Sequence, residues 1–294
     1  MPETVNSAPT AGPVDPTLAR KMWRTLEPYH GMIYFAPAAA AAYAELGVTG
    51  RSGYFASRAA PMGAVPAAVV VATFFNFNPA LVERAMAGVW DTTSPAAILQ
   101  ARLDAVDAAL QTALGDEVLT SAEMSEAAAL ARRATTELPI EGRPLFAGHT
   151  SLPWPDADHL VLWHAISLLR EFRGDGHIAA LVTAGLDGCE ALVTHGGAGD
   201  VPAAVLQSSR AWPDDAWEAA VQRLRDRGLV EAGSAALSDD GRVVRAEIEA
   251  TTDELALAPW RTLGVEDSDR LRTLVRPFSK AIVTNGVFLV PPPE

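Results

Sequence analysis

The pentapeptide Val65-Pro66-Ala67-Ala68-Val69 returns letter for letter as Val201-Pro202-Ala203-Ala204-Val205. Flanking segments answer one another in the same order. Met22-Trp23-Arg24 matches Leu162-Trp163-His164, Leu46-Gly47-Val48-Thr49-Gly50 matches Ala184-Gly185-Leu186-Asp187-Gly188, and Asn78-Pro79 matches Trp212-Pro213. Residue 22 thus pairs with 162, 65 with 201 and 78 with 212, so the offset drifts only from 140 to 134. A tandem duplication of this kind predicts two similar lobes about a pseudo-twofold axis. The cleft between them is the place to look for function.

A chain of 294 residues, 49% hydrophobic, has room for about two domains and a large core. Its formal net charge is −13, and only Lys21 and Lys280 are lysines. That balance disfavours general nucleic-acid affinity, which rests on cations placed against phosphates. Cys189 is alone and can form no internal disulfide, which fits a reducing cytoplasm. Residues 1–15 have neither the charged start nor the apolar run of a signal peptide and read as a disordered leader. The apolar stretch 36–44 is too short to cross a bilayer, so no membrane partner is expected.

Helical patterns cover 17–29, 36–46, 79–89, 96–114 and 120–137, several opened by Ser or Asn followed by Pro, while 66–77 starts like a helix but, with Val69-Val70-Val71, reads equally as a buried strand. Residues 51–61 read as turn formers around Tyr54-Phe55. The proline-bearing stretch 137–157 reads as a connector between a helical lobe at 16–136 and a second lobe at 158–294. In the second lobe a helix from His159 is expected to break at Gly174-Asp175-Gly176 and to resume at His177. Further helices are expected at 202–209 and 212–227, then a hairpin across 229–244 and a long helix to 258. The expected fold is therefore mainly α with a small β-hairpin, built from two tandem helix-rich repeats.

The run from Ala219 to Val230, containing Leu224 and Arg227-Gly228-Leu229-Val230, resembles the end of the recognition helix in the MarR-type winged helix. Leu237-Ser238-Asp239-Asp240-Gly241-Arg242 stands where that family opens its long helix after the wing. The whole chain is similar to an actinobacterial family of helix-turn-helix-related proteins. The resemblance implies winged-helix-like repeats and, by analogy, a ligand-responsive transcription regulator acting as a homodimer. It supplies no catalytic residues. Asp214, Asp215 and Glu218 stand at the start of the recognition helix, and the wing at 231–240 has acids and no cations. A polyanion meets repulsion at both places, so DNA binding is expected to have been lost.

The densest polar cluster is Arg170-Glu171-Phe172-Arg173-Gly174-Asp175-Gly176-His177. Arg170 and Arg173, three apart, share a helical face and could clamp an anion. Asp175 and His177 could form an oriented acid–base pair, the basis of an enzyme reading. Across the proposed axis lie Tyr29 and His30, while Arg58 and His195 precede the two copies of the pentapeptide. Aromatic residues from Tyr29 to Phe77, interleaved with Asn76, suit a cavity wall, with Trp154 and Trp163 closing it from the other side. The sequence expectation is a small-molecule site holding an anionic group through Tyr29, His30, Arg58, Asn76, Arg170, Arg173 and His195. No close His or Cys pair of the zinc type occurs, so no metal is expected, and no motif names a cofactor.

Overall fold

A computed structural model describes residues 14–199 and 201–285. The expected leader, apart from Val14 and Asp15, lies outside them. Among the described residues there are seventeen α-helices and two short 3-10 turns, with no sheet. The first half runs α1 (Thr17–Gly31), α2 (Pro37–Glu45), α3 (Gly50–Ala59), α4 (Ala67–Phe74), α5 (Pro79–Met86), α6 (Val89–Thr92), α7 (Pro95–Leu114), α8 (Asp116–Leu119) and α9 (Ala122–Ala134). The second runs α10 (Pro144–Thr150), α11 (Asp158–Thr183), α12 (Gly188–Gly197), α13 (Ala203–Ser209), α14 (Asp214–Asp226), α15 (Asp239–Leu255), α16 (Ala258–Leu263) and α17 (Val265–Thr284).

Local chemistry explains where many helices start. Asn78 and Ser94 accept a backbone N–H at the openings of α5 and α7, each followed by proline. Asp187 and Glu190 form a reciprocal capping box on α12. Ser238 accepts the Gly241 N–H and so begins α15 at Asp239, inside the stretch expected to be a hairpin. What remains of that hairpin is a single antiparallel bridge, Val230 to Leu237. Gly241 lets the chain close there: a Cβ on it would fall 2.0 Å from the Leu229 carbonyl oxygen.

Two large apolar cores form, with a small third cluster of Phe146, Leu168 and Phe172 between α10 and α11. The larger, which we call the body, gathers α1–α9, the first part of α11, and α16–α17. In α1, Leu18, Met22, Leu26 and Tyr29 make a stripe at helical spacing that packs on α17 and α11. The smaller core unites Leu181, Leu192, Leu206, Trp217, Leu224 and Ile248, from the end of α11 through α15. α11 is one unbroken helix that contributes to both. The expected break at Gly174-Asp175-Gly176 is absent, and Gly176 serves packing: a Cβ on it would sit 3.0 Å from Arg143 Nη1 and 3.1 Å from Leu255 Cβ.

The expected tandem winged-helix repeats do not appear. α3–α4–α5 does follow the order of α12–α13–α14, and Phe75 and Ala211, at matching points, both take positive φ (44° and 55°). The likeness stops there. The chain bends between α1 and α2 where α11 runs straight, and α7 packs chiefly on α2 while α15 returns to pack on α11. The matching turns instead touch one another. Asn78 N–H donates to the Arg210 carbonyl at 3.0 Å, and Trp212 Nε1 donates to the Asn76 carbonyl at 2.9 Å. Phe75 reaches across into the smaller core.

Candidate functional site

Between body and smaller module lies a cavity of about 1180 Å³. α1, α3, α11, α12, α13 and α15 wall it, together with the turn at 74–77. Eight arginines face it against four carboxylates, in a chain where 36 acidic residues outnumber 23 basic ones. Seven sequence candidates line it: Arg58, Asn76, Arg170, Arg173, Asp175, His177 and His195. Tyr29 and His30 do not. Tyr29 is core, its hydroxyl donating to the His159 carbonyl at 3.2 Å. His30 lies fully buried behind the wall, with Nδ1 2.8 Å from Ser167 Oγ, Nε2 2.7 Å from Tyr34 OH, and its ring stacked on Trp163. Burial, then the charges of Arg170 and Arg102, hold its pKa well below the usual histidine range. Trp154 and Trp163 do not close the cavity; both pack inside the body, Trp154 edge-on to His164.

Asp175 and His177 do not meet. Asp175 Oδ2 accepts the backbone N–H groups of Leu145 (3.1 Å) and Phe146 (2.9 Å), so it caps α10 from a neighbouring helix. Burial raises its pKa to about 6 despite those two donors. His177 Nδ1 lies 2.9 Å from Thr252 Oγ1 on α15, and burial lowers its pKa to about 4. Two positions apart on a helix, the side chains diverge by about 200°. The acid–base pair expected from the sequence therefore does not form.

The arginines differ in how fully they are neutralised. Arg173 pairs with Asp253 (3.1 Å) and Glu249 (3.5 Å) and stacks on Trp23. Arg170 pairs with Glu171 (2.9 Å) and Glu27 (3.2 Å). Burial opposes ionisation of Glu171, but Arg170 and Arg58 win and bring its pKa to about 2. Arg58 reaches Glu171 only at 4.0 Å. It donates to Tyr54 OH at 2.9 Å and lies over the Phe74 ring at 4.2 Å. Arg210, at the end of α13, stacks on Phe77 at 4.9 Å and donates to Ser209 Oγ. No carboxylate pairs with it among the described residues. Burial draws its pKa down; Tyr54 opposes that shift and Arg58 adds to it. Tyr54 is itself lowered: burial works against its ionisation, and Arg58 and Arg210 overcome it. The Nε atoms of Arg20, Arg58, Arg173 and Arg210 are all buried without an acceptor. Such deficits are uncommon in folded proteins and ask for a partner.

Sequence reasoning missed Arg20, Trp23, Arg245 and Glu249. The signal lay in α15, where Arg245 and Glu249 stand four apart and pair at 2.8 Å; Arg245 also bonds His195 Nδ1 at 3.2 Å. Cys189 is buried, and burial with Asp187 pushes its thiol up to about 12, far from nucleophilic use.

The start of α14, the segment that resembles a recognition helix in sequence, is acidic. Asp214, Asp215 and Glu218 are exposed at the start of α14. Arg223 is held by Asp187 (2.6 Å) and Glu190 (2.7 Å), Arg225 by the Ser234 carbonyl, and Arg227 by the carbonyls of Ala184 and Gly185. Among the described residues no single helix is long and apolar enough to cross a membrane.

No curated protein and no solved structure matches the chain. A family model described as a helix-turn-helix family matches residues 19–289, taking in the body, the cavity and the α12–α14 module together. The match spans nearly the whole length, and the chain belongs to that helix-turn-helix family.

Proposed function

We propose that this is a small-molecule-binding protein whose cavity, between the helical body and the helix-turn-helix module, takes an anionic ligand. One observation carries the reading: Arg210 has no carboxylate partner among the described residues, stands beside Arg58, and lines a cavity rich in arginine. A largely buried cation without a counter-charge costs free energy that an anion in the cavity would offset. Native mass spectrometry of freshly purified protein should find an anionic species bound. Arg210→Gln should weaken its retention roughly 10- to 100-fold, the worth of a charge-assisted hydrogen bond. Equal occupancy in the variant would count against the reading.

Family membership favours a second reading, a ligand-responsive transcription regulator working as a homodimer. Against it stand the exposed acids that open α14 and the internal engagement of Arg223, Arg225 and Arg227. We infer that sequence-specific DNA binding has been lost. A gel-shift at low salt on the protein's own promoter decides between them, since nanomolar binding there establishes the regulator. The enzyme reading loses the Asp175–His177 pair on which it rested.

A further inference from the structure

The cavity changes character along its length, and two helices change in the same sense. On α11 the lining passes from Arg170 and Arg173 to Ile178 and Leu181, eleven residues or about 16 Å further on. On α13 it passes from Arg210 back to Leu206 and Val205. Leu192 and Leu237 complete the apolar end, and Leu181, Leu192, Leu206 and Leu237 also belong to the core of the smaller module. The cavity therefore opens onto that core. Val205 lines it while remaining 53% exposed.

Of the eight arginines that line the cavity, six have a carboxylate partner; among the described residues Arg24 and Arg210 have none, and Arg24 is exposed. Glu27 and Glu171 answer Arg170 and Arg58, Glu249 and Asp253 answer Arg173, Arg245 and Arg20, and Asp239 answers Arg242. Arg210 is half-buried in the wall near Tyr54, its Nε buried without an acceptor among the described residues.

Resting on the anion-binding reading, we propose that the ligand is an amphiphilic monoanion, a fatty carboxylate. Its head lies at Arg210, Arg58 and Tyr54, and its chain runs along Leu206 and Leu181 into the smaller module. A carboxylate supplies the counter-charge that Arg210 lacks, and an alkyl chain removes the apolar end from water.

Calorimetric titration of ligand-stripped full-length protein tests this with butanoate, hexanoate, octanoate and decanoate, and with decanol and inorganic phosphate beside them. Affinity should climb about fourfold per buried methylene. Decanol should bind at least tenfold more weakly than decanoate. Val205→Asp, at a position exposed enough for the fold to tolerate it, should flatten the chain-length dependence. Arg210→Gln should weaken all four carboxylates by a similar factor and keep the slope. Carboxylates that bind without regard to length, or phosphate binding alone, overturn the fatty-carboxylate proposal and leave the anion site standing. Decanol binding as tightly as decanoate overturns both the charged head and the anion site. Absence of binding by every probe overturns both as well.

Discussion

Asp175 shows how burial and position decide what a carboxylate does. It sits on α11 yet accepts two amide N–H groups at the start of α10, fixing a neighbouring segment in place of a substrate. Asp175→Ala should lower stability by about 1–2 kcal/mol, the usual cost of losing a helix cap, and thermal unfolding will read it. An unchanged midpoint would remove the capping role. The sequence made Asp175 and His177 look like partners because the two glycines around Asp175 suggested a turn. Gly176 lets Arg143 and Leu255 approach α11 closely, a tertiary demand that local reading does not contain. Arg58, Arg170 and Arg173 were legible as cavity residues from charge and spacing. That Arg210 is left without a counter-charge among the described residues depends on six ion-paired arginines drawn from four helices.

At the level of elements, the turn after α4 is the seam of the molecule. Phe75, held at a φ of 44°, leaves the body and packs in the smaller core. A non-glycine residue there stores strain that the surrounding contacts must outweigh. Gly188, the first residue of α12, meets this turn so closely that a Cβ would lie 2.1 Å from the Phe75 carbonyl oxygen. Gly188→Ala should therefore cost about 1–3 kcal/mol and loosen the cavity wall. Hydrogen exchange should show lost protection at residues 74–78 and 188–192, and unchanged exchange would refute the seam. Helix starts at α5, α7 and α9 could be read from their Asn, Ser and Pro residues because capping is local. α3 could not. Gly50 to Ala59 carries two glycines and two serines, and its helicity rests on burying Phe55, Ala56 and Ala59 in the body.

Across the whole molecule, buried histidines set the response to acid. Burial holds His149 at about 4, His164 at about 3 and His177 at about 4, against an ordinary 6.5. The unfolded chain takes up these protons near pH 6.5, while the folded chain resists until much lower. Stability present above 6.5 is therefore lost as the pH falls towards 4. Asp175, raised to about 6 from 3.8, acts in the opposite sense and recovers stability over that interval. Three groups outweigh one. At about pH 5 each histidine costs roughly 2 kcal/mol, at about 1.4 kcal/mol per pH unit. Urea denaturation should show a midpoint falling steadily from pH 7 to pH 5; a flat profile would mean that these imidazoles are hydrated. The continuity of α11 bears on what can be inherited separately. Its 26 residues are the far wall of one core and the near wall of the other. A gene cut within its codons would strand an oily stripe on each fragment. The smaller module is thus no detachable cassette, and a hybrid that exchanges it must exchange α11 as well.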